Sequence, residues 1–284
     1  MEVKRVGVVG SGIMGSGVAE VAAKAGFEVT LRSRTRSGAH ALLAGLERSL
    51  AKQVERAKLD DGERTATLGR VRSVTDLGEL SECEFVVESI VEDLATKKQL
   101  FTELDRVCRE DSILATNTST LPVIELAMET GRPDRVCGVN FFTPAPVMRL
   151  VEIVRSLTTS DQTIVTARAF AAACGKPEVD VKDQAGFVVS ALLFPYLNNA
   201  VKLLDAGVAS SDDIDAAMKG GCNFPMGPLE LLDLVGLDTS LAILDALYLE
   251  FRDAHYSPAP LLRRMVSAER LGRKSGQGFY PYRR

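Results

Sequence analysis

Val6-Gly7-Val8-Val9 is a short β-branched run that ends in Gly10-Ser11-Gly12-Ile13-Met14-Gly15, after which apolar residues recur at helical spacing through Ala25. Strand, glycine turn and helix in that order leave few folds open. Glu28 to Arg32 supplies a second strand, which gives the length and order of a βαβ unit of about 30 residues. In that context the G-x-G-x-x-G spacing predicts a dinucleotide site. Gly10 permits the tight turn, Gly12 lets the backbone approach a pyrophosphate, and Gly15 lets helix and strand pack closely. The helix N-terminus then faces the phosphates with free N–H groups and its positive dipole end. Ile13 and Met14, inside the turn, join the candidate cofactor-binding set.

Further strands are predicted at Phe85–Val87, Ile113–Thr116, Val136–Val139, Val151–Val154 and Glu178–Val181, most of them separated by amphipathic stretches such as Leu94–Cys108 and Thr163–Cys174. This alternation predicts a mostly parallel sheet covered by helices. After Val181 the pattern breaks at Lys182-Asp183-Gln184-Ala185-Gly186, and the remaining third of the chain reads as helical. Phe187 to Leu204 has helical periodicity, Ser210 to Asp213 caps the next helix, and Gly220-Gly221 is expected to stop it. Pro228–Leu234, Thr239–Phe251 and Pro260–Ala268 complete an all-α segment. The chain therefore divides into residues 1–182 and 183–284, and the helical part is expected to bury apolar faces against a second copy.

A chain of 284 residues, 46% of them hydrophobic, is long enough for these two domains. A formal charge of −4 with no long basic run gives nucleic acid no electrostatic footprint. The charged start, Met1-Glu2-Val3-Lys4-Arg5, runs into an apolar segment too short for a signal peptide or a membrane span. A soluble protein of the cytoplasm is expected. Cys83, Cys108, Cys137, Cys174 and Cys222 stand far apart without a CxxC pair, so they are expected to be reduced core thiols rather than a metal site. The two histidines, His40 and His255, are expected to have ordinary surface or packing roles.

The second strand ends Leu31-Arg32-Ser33-Arg34. An NAD-preferring site usually presents an acid here, to accept hydrogen bonds from the adenosine ribose. No carboxylate stands here to repel a 2′-phosphate, and Arg32 and Arg34 offer two guanidinium groups to pair with it. NADP(H) is therefore favoured over NAD(H), the alternative being a solvated arginine loop with NAD bound through its other contacts.

Four later motifs carry a resemblance: "LATNTSTLP" at Leu114–Pro122, "FFTPAPVMRLVEI" at Phe141–Ile153, "NFPMGPLELLDLVGLD" at Asn223–Asp238 and "LGRKSGQGFYPY" at Leu271–Tyr282. Together with the glycine turn they resemble the 3-hydroxyacyl-CoA dehydrogenase family, especially its 3-hydroxybutyryl-CoA members, over essentially the whole chain. The resemblance implies an N-terminal Rossmann-type doubly wound α/β domain, a C-terminal all-α dimerisation domain, and hydride exchange between a nicotinamide and C3 of an acyl thioester. It implies that Ser119 touches the substrate's oxygens, that Glu152 orients a catalytic imidazole, and that Glu92, Lys97, Asn117 and Lys274 lie around the cofactor. Ser49 and Arg56 match positions that contact coenzyme A, a solvated helix face being the other reading.

The departures from the family pattern fall in the site. Asn140 stands where the family has its proton-transferring histidine, Thr143 where it has an asparagine, and Ser190 where a second asparagine helps hold the substrate. Ser33 is a fourth change. An asparagine amide does not titrate near neutral pH, but it donates a hydrogen bond to a carbonyl or a developing alkoxide. Three explanations stand for Asn140: an engineered substitution, which leaves Ser33, Thr143 and Ser190 unexplained; a natural branch with a different substrate; or a binding module that has lost turnover. In the second, Glu152 is released from an imidazole and acts as base through a water. Relatives of the family resemble enzymes acting on acyl carrier proteins, such as those oxidising a glyceryl group on its way to a polyketide extender unit. Arg48, Lys52, Arg56, Lys58 and Arg64 would suit an acidic carrier or the phosphates of coenzyme A, or are simply a wet helix face.

Overall fold

The run Arg5–Val9 forms strand β1, with every residue from Val6 to Val9 buried, as a parallel strand covered on both faces requires. The computed structural model describes residues 2–282; residues 1, 283 and 284, at the ends of the two expected domains, lie outside the described residues. Helix α1 (Ile13–Lys24) carries the chain to β2 (Glu28–Arg32), which pairs in parallel with β1 so that Val6 stands opposite Val29. A long helix, α2 (Arg36–Glu55), and a shorter one, α3 (Asp61–Gly69), lead to β3 (Val71–Val74). This edge strand was not predicted, because its four residues include Arg72 and Ser73 and carry no apolar run.

The second half of the sheet begins with β4 (Phe85–Glu88) and continues through α4 (Leu94–Val107), β5 (Ile113–Thr116), α5 (Val123–Ala127) and β6 (Val136–Phe141). Strand β7 (Val151–Arg155) then returns antiparallel to β6, and α6 (Asp161–Ala173) crosses to β8 (Glu178–Lys182), parallel to β7. The strand order is β3-β2-β1-β4-β5-β6-β7-β8. Its first six strands have the Rossmann arrangement, in which the order reverses between β1 and β4 and ligands bind at the carboxyl ends beside that point. The core beneath is apolar, with Phe85 stacked on Phe170 at 4.7 Å between ring centroids.

Two features of the sheet position the site. Strand β6 runs two residues beyond its expected end, so Asn140 and Phe141 belong to the strand itself. Because β7 is antiparallel, its first residues lie at the same sheet edge as the last residues of β6, with Glu152 directly opposite Asn140.

The chain separates into two compact units, the first ending at Asp183 and the second beginning at Gln184. The second contains α7 (Val189–Asp205), α8 (Ser211–Cys222), α9 (Pro228–Val235), α10 (Leu237–Phe251) and α11 (Pro260–Ser267), packed around Leu197, Val201, Leu229, Leu232, Leu244 and Leu247. The Ser210 hydroxyl caps α8 by accepting from the Asp213 N–H. Gly220 and Gly221 do not stop that helix; it ends at Asn223, whose φ of 56° is the left-handed conformation that asparagine tolerates. Each glycine weakens a helix without forbidding it. Buried Asp215 accepts the N–H groups of Leu229 and Glu230 at the start of α9. Buried Asp233 accepts those of Phe279 and Tyr280, which pins the C-terminal segment.

Among the described residues no helix is long and apolar enough to cross a membrane. Cys83, Cys108 and Cys137 are buried thiols, Cys137 being pushed up to about 12 by its burial. Cys222, on the last turn of α8, is exposed, which corrects the expectation of five core thiols.

Candidate active site

The glycine turn separates into residues the backbone requires and one that it does not. At Gly10, with φ +136°, a Cβ would stand 2.2 Å from the Ser89 carbonyl oxygen, and at Gly15 it would stand 2.1 Å from that of Gly10. Both are fixed by the packing of the turn on β4 and α1. A Cβ at Gly12 would meet nothing within 4 Å, so its bareness serves whatever approaches from outside. Gly12 is the N-cap of α1 and provides no side-chain cap, and no acid stands in the first turn. Free N–H groups and the dipole end thus face open space at the sheet's reversal point, which fits a pyrophosphate. Ile13, 76% exposed, presents apolar surface beside them, and Met14 comes next, partly buried.

At the end of β2 the two arginines differ. Arg32 is turned toward the edge strand, its Nε donating to the Thr75 carbonyl at 3.2 Å, and burial holds its pKa below the usual guanidinium range. Arg34 is exposed. Ser33 is buried between them; its N–H donates to the Val74 carbonyl and its hydroxyl lies against Gly38 of α2, where a Cβ would stand 2.3 Å away.

At the other half of the crevice, Asn140 Nδ2 donates to Glu152 Oε2 at 2.8 Å, with the residues 3% and 0% exposed. The expectation that Glu152 is free to act as a base through water is not met. A carboxylate withdrawn from solvent needs donors, and the asparagine amide supplies one of them. With one N–H committed to Glu152, Asn140 retains its second N–H and its carbonyl oxygen. His40 is exposed on α2, and His255 is exposed in the second unit.

Between the turn and Asn140 lies a buried ion cluster that the sequence motifs only partly mark. Glu88, the last residue of β4 and 0% exposed, accepts from the Ile90 N–H at 2.6 Å, from Lys97 Nζ at 2.6 Å and from the Thr116 hydroxyl at 2.7 Å. Lys97, 1% exposed, also reaches Glu92 at 3.3 Å. Glu92 in turn accepts from the hydroxyls of Thr118 and Thr120 and from the Ser119 N–H, the last at 3.1 Å. Lys97 is therefore too deep to present its own ammonium to a cofactor; it holds Glu92 instead. Asn117 spans three strand ends, its Oδ1 accepting from the Phe141 N–H at 2.7 Å and its Nδ2 donating to Ser89 Oγ at 3.2 Å. Glu88, Thr116 and Thr118 were missed; the available signal was an acid closing the otherwise apolar run Phe85-Val86-Val87.

Thr143 lies on the loop after β6, exposed, with its hydroxyl donating to Met14 Sδ at 2.8 Å, so candidate substrate and cofactor residues touch. Buried Lys176 anchors this loop, its Nζ donating to the carbonyls of Ala145 and Met148 at 2.7 and 2.6 Å, and burial pulls its pKa down. Ser49 and Arg56 lie on or just past α2, Ser49 partly buried beside Gln53 and Arg56 exposed. Ser190 and Lys274 belong to the second unit: Ser190 is buried in the first turn of α7, and Lys274 pairs with Asp238 at 2.5 Å.

A Rossmann sheet with a phosphate-ready turn at its reversal point, and a buried amide–carboxylate pair at the end of β6 on the same sheet edge, fits a dinucleotide-dependent oxidoreductase. The chain belongs to the 3-hydroxyacyl-CoA dehydrogenase family: residues 5–184 match its NAD binding domain and residues 186–282 its C-terminal domain. A 3-hydroxybutyryl-CoA dehydrogenase of Mycobacterium tuberculosis strain H37Rv is 47% identical over 286 residues, 99% of each chain. The mitochondrial hydroxyacyl-coenzyme A dehydrogenase of Homo sapiens is 41% identical over 288 residues, covering 99% of this chain and 92% of the relative. The crystal structure of M. tuberculosis FadB2 superposes with a TM-score of 0.98 at 46% identity, all of both chains being covered.

Proposed function

We propose that this protein interconverts 3-hydroxyacyl and 3-oxoacyl thioesters with NADP(H), and that Asn140 polarises the reacting oxygen without exchanging a proton with it. The observation that carries this is the 2.8 Å bond from Asn140 Nδ2 to Glu152 Oε2, which locks a neutral donor at the end of β6, on the sheet edge that carries the dinucleotide turn. When bound, the nicotinamide supplies the hydride to C3 of the oxoacyl group or takes it back. The Gly10–Gly15 turn and the N-terminus of α1 would hold the pyrophosphate. Asn140 and the Ser119 hydroxyl donate to the oxygen as negative charge grows on it, and Thr143 adds a third hydroxyl nearby. The proton then comes from solvent. General acid–base catalysis is worth about 10²–10⁴-fold, so turnover is slow while positioning and electrostatics persist.

The relatives' names support coenzyme A as the carrier, and the exposed Arg48, Lys52, Arg56 and Lys58 suit its phosphates or an acidic acyl carrier protein. The exchange of the family's polar contacts for Asn140, Thr143 and Ser190 favours a natural branch with an atypical acyl group. Exposed Leu192, Leu203 and Leu249 in the helical unit support a homodimer. Reduced-nicotinamide absorbance tests the function, using acetoacetyl-CoA and then acetoacetyl-acyl carrier protein with NADPH or NADH. Slow consumption is expected; none with either thioester leaves a silent nucleotide-binding homologue.

NADP(H) is favoured because Arg34 stays exposed just past β2, where residues 31–34 include no acid. Arg34→Ala is expected to weaken NADPH binding about tenfold, the size of one charge-assisted hydrogen bond, and to leave NADH affinity unchanged. Fluorescence titration with both nucleotides measures this, and equal losses for the two contradict the preference.

A further inference from the structure

We propose that Glu88 is a positioning residue for Ser119, acting through Lys97 and Glu92. The proposal rests on the function above only in taking Ser119 as a substrate contact. Glu88 gathers three donors from three places: the Ile90 N–H after β4, the Lys97 ammonium on α4 and the Thr116 hydroxyl at the end of β5. With Glu88 0% and Lys97 1% exposed, neither charge has solvent to compensate it, and each fixes where the other sits. Lys97 also faces a second anion, Glu92, at 3.3 Å. Glu92 is the outermost member, with 39% of its side chain exposed, yet it takes the Thr118 and Thr120 hydroxyls and the Ser119 N–H. The loop that carries Ser119 is thus hung on a half-exposed carboxylate whose place is set by two buried charges.

Burial sets the direction of control. Glu92 alone, facing water, would sample several rotamers, and the Ser119 N–H would move with them. Lys97 alone would fold onto Glu92 and draw it inward. Glu88 holds the ammonium back between two carboxylates, and that balance fixes the height of the loop.

Glu88→Gln isolates the charge. The amide oxygen still accepts from Ile90 and Lys97, and the Thr116 hydroxyl turns to accept from the new N–H, so shape and hydrogen-bond count are kept. Two readouts decide. Amide exchange at Ser119 should speed up about tenfold as its acceptor loosens. The turnover rate should fall about tenfold in the parent chain but not in a Ser119→Ala background, since a residue acting only through Ser119 has nothing left to act on. Ser112→Ala, which removes a buried hydroxyl bonded to the Cys83 carbonyl at the far end of β5, serves as the structural control and should change stability without either readout. If Glu88→Gln does not fold, Thr116→Val removes one of the carboxylate's donors and should move both readouts in the same direction by about threefold. Unchanged Ser119 exchange, or Glu88→Gln and Ser119→Ala effects that multiply, overturns the proposal. If the parent chain turns over no thioester, the proposed function fails, and the exchange measurement alone decides for Glu88.

Discussion

Asn140→His is expected to accelerate reduction of acetoacetyl-CoA by about 10²–10⁴-fold, the usual worth of a positioned general acid. The partner such a ring needs is in place. Glu152 sits across the β6–β7 register from residue 140, withdrawn from solvent, with one oxygen already taking an N–H from it at 2.8 Å. An imidazole there would give that oxygen one ring N–H, which sets the tautomer and stabilises the charge gained on protonation. Its other nitrogen would face the crevice and deliver the proton that Asn140 does not have. The variant should also acquire a pH dependence that the parent lacks, its rate of reduction falling with rising pH as the imidazolium loses the proton it must deliver. Stopped-flow absorbance of the reduced nicotinamide checks both. A rate that falls instead would mean that the pocket is filled by an acyl group the ring displaces.

Lys97→Met is expected to cost about 3–5 kcal/mol of stability, because it leaves a buried carboxylate without its cation. Glu88 is 0% exposed and would lose its 2.6 Å ion pair, keeping only the Ile90 N–H and the Thr116 hydroxyl. Methionine has nearly the length of the lysine stem, so the space remains filled and the loss reports on charge rather than on a cavity. Glu92 would lose its inner anchor at the same time, and the Ser119 loop with it. Urea denaturation measures the change. A loss below about 1 kcal/mol, the range of exposed pairs, would mean that water reaches this cluster in solution.

The parts of the site legible in the sequence are those where the backbone itself restricts the residue. Gly10 and Gly15 are demanded by carbonyl oxygens that would stand 2.2 and 2.1 Å from a Cβ, so their spacing survives as a motif and announces strand, turn and helix together. The antiparallel return of β7 was not legible. Its strand is as apolar as a parallel one, and the direction is set by the loop Phe142–Leu150, which has no periodic pattern and is held by Lys176 from beyond α6. That direction is what puts Glu152 against Asn140. The ion cluster was half legible for a related reason: Glu88 closes a strand and Lys97 lies on a helix, and only the fold of β4 over α4 brings them together. Gly220 and Gly221 misled because glycine lowers a helix's stability without ending it, whereas Asn223 ends α8 through its own left-handed backbone.

In the proposed function, Asn140 polarises the reacting oxygen at the end of β6 and does not titrate. The most direct test of that role is the pH dependence of hydride transfer in single turnovers of the unaltered protein, with the reduced cofactor prebound and a 3-oxoacyl thioester added. The expected result is a rate that is level between about pH 6 and 8, the interval in which only histidine among unperturbed side chains changes charge. A limb with its midpoint near 6.5 in that interval would mean that an imidazole performs the proton transfer after all, and would contradict the role given to Asn140.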